Sequence, residues 1–142
     1  MIISNEHETM EWKVLQYQYP EEELSTPTNY SYNANWLKIQ VSHEREGYGP
    51  AVFRESFLMT YELKDLIQEL RKLHQGDGFY YKAEFVEPIL EVEVSRQRET
   101  FSVCFDLYFD NYEMMVARNM TEDELLDLIQ QLEAMLAAFP ER

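Results

Sequence analysis

Cysteine is almost absent from this chain of 142 residues, since Cys104 is the only one. A single thiol excludes an intramolecular disulfide framework and a zinc cage built from cysteines. Cys104 lies within an apolar alternating run that is typical of a strand. We therefore expect a buried, inert thiol rather than a nucleophile.

Basic residues are also scarce, because 12 Lys and Arg stand against 27 Asp and Glu and the net charge is -15. This charge repels phosphate backbones and anionic membranes, which argues against both as partners, and it accelerates encounters with basic surfaces. Two interpretations stay open: the acidic residues steer a basic partner, or they only confer solubility. An apolar content of 45% excludes a disordered acidic tail.

Long apolar runs are missing as well, and none approaches the ~18 residues that span a bilayer. The first residues of the chain lack a basic region followed by an apolar stretch, so a secretory signal is not expected and the cytoplasm is the expected location. We predict a single domain over residues 1–142, with a flexible segment at 1–10 and a surface loop at 20–34.

Motifs that carry chemistry are not found either. Glycine occurs four times, and neither glycine pair belongs to a phosphate-binding loop, nor does any serine stand in a nucleophile elbow. His7, His43 and His74 have no metal-ligand spacing. An acid-base pair of His43 with Glu44 is disfavoured, because adjacent strand residues point to opposite faces. We expect no enzyme activity, no metal site and no cofactor.

Periodic apolar residues predict seven strands and two helices. The predicted strands are Glu11 to Tyr19, Trp36 to Ser42, Ala51 to Met59, Phe79 to Phe85, Leu90 to Val94, Phe101 to Phe109 and Asn111 to Met120. Helices are expected from an N-cap at Thr60 to about Gly76, and from a capping box of Thr121 with Glu124 to Phe139.

The order of these elements, β-β-β-α-β-β-β-β-α, predicts an α+β fold. Short turns between strands favour antiparallel pairing, because parallel neighbours need long crossover connections. We expect one antiparallel sheet of about six to seven strands, with both helices packed on one face. The other face is then left to solvent or to a partner.

Two acidic surfaces are candidates for binding a partner. If Leu90, Val92 and Val94 face the helices, the residues between them face away, and neighbouring strands add further carboxylates and tyrosines suited to lysine and arginine. The predicted partner-binding residues of this face are Glu84, Glu91, Glu93, Asp106 and Tyr108. The second surface is the loop, with Glu21, Glu22, Glu23, Tyr30 and Tyr32. For both surfaces the alternative is a merely solvated patch.

Three motifs resemble one protein family: Asn33-Ala34-Asn35-Trp36-Leu37 before a strand, Phe85-Val86-Glu87-Pro88-Ile89-Leu90, and a closing amphipathic helix that ends at Phe139-Pro140. The chain is similar from Trp12 onward to WapI-family immunity proteins, which are small bacterial proteins that neutralise the toxic C-terminal domain of a contact-dependent toxin. The motifs themselves look structural, since Trp36 would anchor a strand in the core and Glu87-Pro88 would shape a turn.

The resemblance implies a toxin as the partner, and the charge predicts a basic toxin domain, for instance a nuclease-like one, that is bound stoichiometrically and occluded. A non-catalytic structural or regulatory adaptor is the alternative. A third hypothesis is a small hydrolase that uses Glu91 or Glu93, which would require a deep pocket joining these carboxylates to a histidine. The sequence predicts no particular oligomeric state.

Overall fold

The computed structural model of the chain describes residues 1–21 and 33–142. These residues form two four-stranded antiparallel sheets and two helices, with the strands of each sheet in chain order. The first sheet comprises β1 (Ile2–Ser4), β2 (Glu8–Tyr17), β3 (Trp36–Arg45) and β4 (Ala51–Met59), and is followed by α1 (Thr60–His74). The second comprises β5 (Tyr80–Ala83), β6 (Leu90–Gln97), β7 (Thr100–Phe109) and β8 (Tyr112–Met120), and is followed by α2 (Glu122–Ala138).

The predicted α+β class and antiparallel pairing are confirmed, whereas the prediction of one sheet is wrong. Short turns pair only neighbouring strands, and no such turn joins β4 to β5, because the 15 residues of α1 separate them. Each half of the chain therefore forms its own sheet. The described residues form eight strands rather than the seven predicted, because β1 was not predicted.

Residues 1–10, for which the sequence predicted a flexible segment, include β1 and the start of β2. Ile3 pairs with Met10 in the β1–β2 ladder, and both side chains are buried. The backbone amide of Ile2 also donates to Oε1 of Gln131 on α2 at 2.8 Å. Apolar residues at positions 1, 3 and 10 thus tie this segment to the core, because their burial offsets the cost of ordering it.

Aromatic side chains join the two sheets face to face. Trp12 of β2 meets Phe57 of β4 and Phe105 of β7 edge-on, with ring centroids 5.7 and 5.4 Å apart. Phe53 of β4 stacks on Phe109 of β7 at 4.8 Å. One continuous cluster of buried side chains therefore includes both sheets.

The helices add their apolar stripes to the same cluster. The buried apolar residues are Leu63, Leu66, Ile67, Leu70 and Leu73 on α1, and Leu125, Leu128, Ile129 and Leu132 on α2. The guanidinium of Arg71 on α1 donates two hydrogen bonds to the carboxylate of Glu133 on α2, at 2.6 and 2.8 Å. In the described part of the chain, neither helix combines the length and apolar character needed to cross a membrane.

One of the two predicted helix starts is confirmed. Oγ1 of Thr121 accepts from the amide of Glu124, whose carboxylate in turn accepts from the amide of Thr121, as in a capping box. Thr60 is not the N-cap of α1, because Met59 holds that position. The hydroxyl of Thr60 instead donates to Oδ1 of Asn35 at 2.7 Å.

Candidate partner-binding face

The outer face of the second sheet carries the polar half of each alternating strand. In β6, Leu90, Val92 and Val94 are buried, while Glu91 and Glu93 point away from the core. This orientation agrees with the alternation in the sequence, although both helices and the first sheet, rather than helices alone, cover the buried side.

The strand register places the outward residues in rows across the sheet. Glu91 lies beside Asp106 of β7, which lies beside Met115 of β8. Lys82 of β5 lies beside Glu93, and Tyr108 lies beside Glu113 in other rows. We call these outward residues the acidic face: Tyr80, Lys82, Glu84, Glu91, Glu93, Cys104, Asp106, Tyr108, Glu113 and Met115.

Two carboxylates of the acidic face each make a short contact with a neighbouring side chain. Nζ of Lys82 lies 2.6 Å from Oε1 of Glu91, and the hydroxyl of Tyr108 donates to Oδ2 of Asp106 at 2.6 Å. The hydrogen bond to Asp106, together with burial and the charge of Glu113, raises the pKa of Tyr108 to about 12. Tyr108 therefore keeps its proton near neutral pH and remains a donor.

Asp106 is the centre of this arrangement. Its Oδ1 is shielded from solvent and has no hydrogen-bond partner among the described residues, whereas its Oδ2 is engaged by Tyr108. Because Oδ1 is shielded, an incoming donor can reach it only after the side chain moves, whereas water already contacts other parts of the acidic face.

Cys104 also lies on the acidic face, which corrects the expectation of a fully buried thiol. The side chain is half-buried, because β7 directs Val103 and Phe105 inward and Cys104 outward. Burial, and then the nearby charge of Asp106, raises the pKa of this thiol. The neutral thiol is thus favoured over the nucleophilic thiolate.

Apolar area accompanies the carboxylates. The exposed fractions are 56% for Tyr80, 44% for Tyr108 and 50% for Met115. Tyrosine and methionine are enriched at the centres of protein interfaces, where they supply contact area. The acidic face thus combines charge with surface that a partner can bury.

The outer face of the first sheet has a different charge balance. Three basic side chains, Lys13, Lys38 and Arg54, share its outward positions with two acidic ones, Glu11 and Glu44. In the four strands of the second sheet, by contrast, Lys82 is the single basic side chain among the outward positions, beside four carboxylates. The outer face of the second sheet is therefore more acidic than that of the first.

The structure describes one of the two predicted surfaces in full. Glu84, Glu91, Glu93, Asp106 and Tyr108 all lie on the acidic face, with Glu84 exposed just beyond the end of β5. Glu21 is exposed. The other predicted loop residues, Glu22, Glu23, Tyr30 and Tyr32, lie outside the described residues.

A buried polar relay at one end of the two sheets was not predicted. His43 is 2% exposed; its Nε2 lies 2.8 Å from Oε2 of Glu8, and its Nδ1 lies 2.9 Å from the hydroxyl of Tyr112. The relay connects β2 and β3 of the first sheet to β8 of the second. Extending the alternation of Ile39 and Val41 by one more step would have placed His43 in the core.

The hydrolase hypothesis finds no support in this geometry. His43 faces the core, between Glu8 and Tyr112, whereas Glu91 and Glu93 point outward from the second sheet. Within residues 1–21 and 33–142, no three His, Cys, Asp or Glu side chains are placed to hold a metal ion.

Comparison with known proteins identifies one relation. A family model described as the Immunity protein WapI-like family matches residues 1–140. No curated protein and no solved structure matched the chain.

Proposed function

Because the chain belongs to the WapI-like immunity protein family, we propose that it neutralises a basic toxin domain by binding it stoichiometrically through the acidic face. Membership of an immunity family implies a toxin as the binding partner. The basic character of that toxin, the binding surface and the mechanism of occlusion are parts of the proposal.

The observation that carries the proposal is the uneven distribution of charge between the outer faces of the two sheets. A cationic protein is attracted to the outer face of the second sheet, where carboxylates outnumber the single Lys82, more than to the outer face of the first. The exposed area of Tyr80, Tyr108 and Met115 then gives the encounter complex apolar surface to bury.

The proposed mechanism is competition for a basic active-site surface. A nuclease-like toxin binds phosphate backbones with lysine and arginine, and its affinity for nucleic acid depends on those charges. Carboxylates of the acidic face would pair with the same side chains. Bound in this way, one immunity protein excludes the substrate from one toxin domain, so inhibition should reach its end point at equal concentrations.

The test uses two double variants with the same change in net charge. Glu91→Gln with Asp106→Asn removes two charges from the acidic face, and Glu11→Gln with Glu44→Gln removes two from the outer face of the first sheet. We expect the first variant to associate with the toxin domain encoded beside this gene on the order of tenfold more slowly at low salt, because local charge governs steering.

The control variant should retain an association rate close to that of the unchanged protein, and the difference should shrink as salt rises. Equal rates for both double variants, or no dependence on salt, would remove the acidic face from the mechanism. A failure of the unchanged protein to bind or inhibit that toxin domain would favour the adaptor alternative.

A further inference from the structure

Lys82 is the exception on the acidic face. Its ammonium group contacts Glu91 at 2.6 Å, and the strand register places it directly beside Glu93. The hydrogen bond to Glu91, and then the charges of Glu91 and Glu93, raise the pKa of Lys82, so the side chain is cationic at neutral pH. The face therefore already binds one cation, supplied by the chain itself.

This ion pair can open at low cost. The side chains of Lys82 and Glu91 are 45% and 46% exposed, so water solvates both charges in the paired and unpaired states. Exposed ion pairs of this kind contribute little to stability, because they gain little Coulomb energy and restrict two long side chains. Lys82 can swing away without disturbing the strand beneath it.

The carboxylates below Lys82 suit an arginine better than a lysine. Glu91 and Asp106 are direct cross-strand neighbours, so the acidic face presents two carboxylates side by side. A guanidinium offers five N–H donors in a planar fork and can bridge two carboxylates, whereas an ammonium acts as a point charge. The exposed ring of Tyr108 in the next row offers a surface for stacking.

We propose that Lys82 occupies the position that a cation of the partner takes in the complex. An arginine of the toxin displaces Lys82 from Glu91 and bridges Glu91 and Asp106. This inference rests on the proposed function and deepens it, because it names one anchor and one competing residue. In the unchanged protein, Lys82 therefore competes with the partner and weakens binding. It also restricts binding to partners that carry a cation able to displace the Lys82 ammonium group from Glu91.

Removing Lys82 should consequently strengthen binding, which is an unusual result for a residue within an interface. We expect Lys82→Met to lower the Kd for the toxin domain encoded beside this gene by about two- to fivefold, the range that corresponds to releasing one exposed ion pair. Lys13→Met is the matched control, since it makes the same change in net charge on the outer face of the first sheet.

A second pair of variants tests the assignment to Glu91. In a Glu91→Gln background, Lys82→Met should no longer tighten binding, because the carboxylate for which the two cations compete is gone. Weaker binding by Lys82→Met, equal gains from Lys82→Met and Lys13→Met, or the same gain in both backgrounds would each overturn the inference while leaving stoichiometric inhibition intact.

A defined probe separates this inference from the proposed function. If the unchanged protein does not bind the toxin domain, a hexa-arginine peptide can be titrated instead, with backbone amide shifts of Glu91 and Asp106 as the readout. Saturable shifts that occur at lower peptide concentration in Lys82→Met than in Lys13→Met would support the exchange of cations. Shifts spread evenly over the chain, or unchanged by Lys82→Met, would refute it.

Discussion

Replacing Glu62 tests how the connection between β5 and β6 is held. Glu62 is 8% exposed; its Oε2 accepts from the amide of Met59 at 2.9 Å, and its Oε1 accepts from the amide of Val86 at 2.7 Å. The first bond caps α1, and the second fixes the segment that separates Glu84 from Glu91. One side chain therefore links the start of α1 to the turn that positions part of the acidic face.

The magnitude follows from the two amides that Glu62→Ala leaves without a partner. The amide of Met59 is buried and should cost about 1–3 kcal/mol when unpaired, whereas Val86 is exposed and water can partly replace its acceptor. We therefore expect a loss of about 2–4 kcal/mol in the free energy of unfolding. Glu62→Gln keeps one acceptor oxygen, so its loss should be smaller.

The same residue predicts a pH dependence. Burial, partly opposed by the two backbone hydrogen bonds, raises the pKa of Glu62 above its usual value. A raised pKa means that the folded state holds the proton more tightly than the unfolded state does. This contribution to stability is present below the ordinary glutamate pKa and is lost as pH rises through the raised value.

Urea unfolding of the unchanged protein, Glu62→Ala, Glu62→Gln and the surface control Glu69→Gln, measured between pH 4 and pH 7, tests both the magnitude and the pH dependence. The stability gap between the unchanged protein and Glu62→Gln should narrow with rising pH, because only the unchanged protein titrates at this position. The gap to Glu69→Gln should not follow this trend. A Glu62→Ala variant within about 0.5 kcal/mol of the unchanged protein would refute the argument.

Two further predictions concern the buried relay and the outward thiol. His43→Phe should lower the free energy of unfolding by about 2–3 kcal/mol, since it leaves the Glu8 carboxylate and the Tyr112 hydroxyl without their shared partner; urea unfolding measures this, and unchanged stability would contradict it. Cys104 should react slowly with a disulfide reagent at neutral pH and faster as pH rises, because burial raises its pKa. A bound toxin domain should protect Cys104 from the reagent. Equal reaction rates in the free protein and in the complex would place the binding surface elsewhere.

Local patterns predicted most of the fold because they depend on neighbours in sequence. The alternation of Leu90, Val92 and Val94 is sufficient to determine which side chains of β6 are buried. The capping box of Thr121 and Glu124 likewise involves residues only three apart. These features require no knowledge of the rest of the chain.

Features that depend on distant partners were not predictable in the same way. The division into two sheets depends on where β5 begins after α1, relative to β4. The residues of β4 and β5 show no pattern that predicts this position. The two hydrogen-bond partners of His43 were not predicted, because Glu8 and Tyr112 are 35 and 69 residues away from it in sequence. The residues of the acidic face were predicted from the sequence. The difference in charge between the two outer sheet faces was not, because it becomes visible only when both sheets are known.

That contrast bears on the two interpretations of the excess acid. Solubility depends on net charge and is served equally well wherever the carboxylates stand, so it provides no reason for the outer face of one sheet to be more acidic than that of the other. Recognition of a cationic partner depends on placement, because the attraction that guides an encounter comes from charges near the contact. Lys13, Lys38 and Arg54 lie on the outer face of the first sheet, whereas Lys82 is the single basic side chain among the outward positions in the four strands of the second. The distribution therefore favours a docking role for the acidic face over charge carried only for solubility.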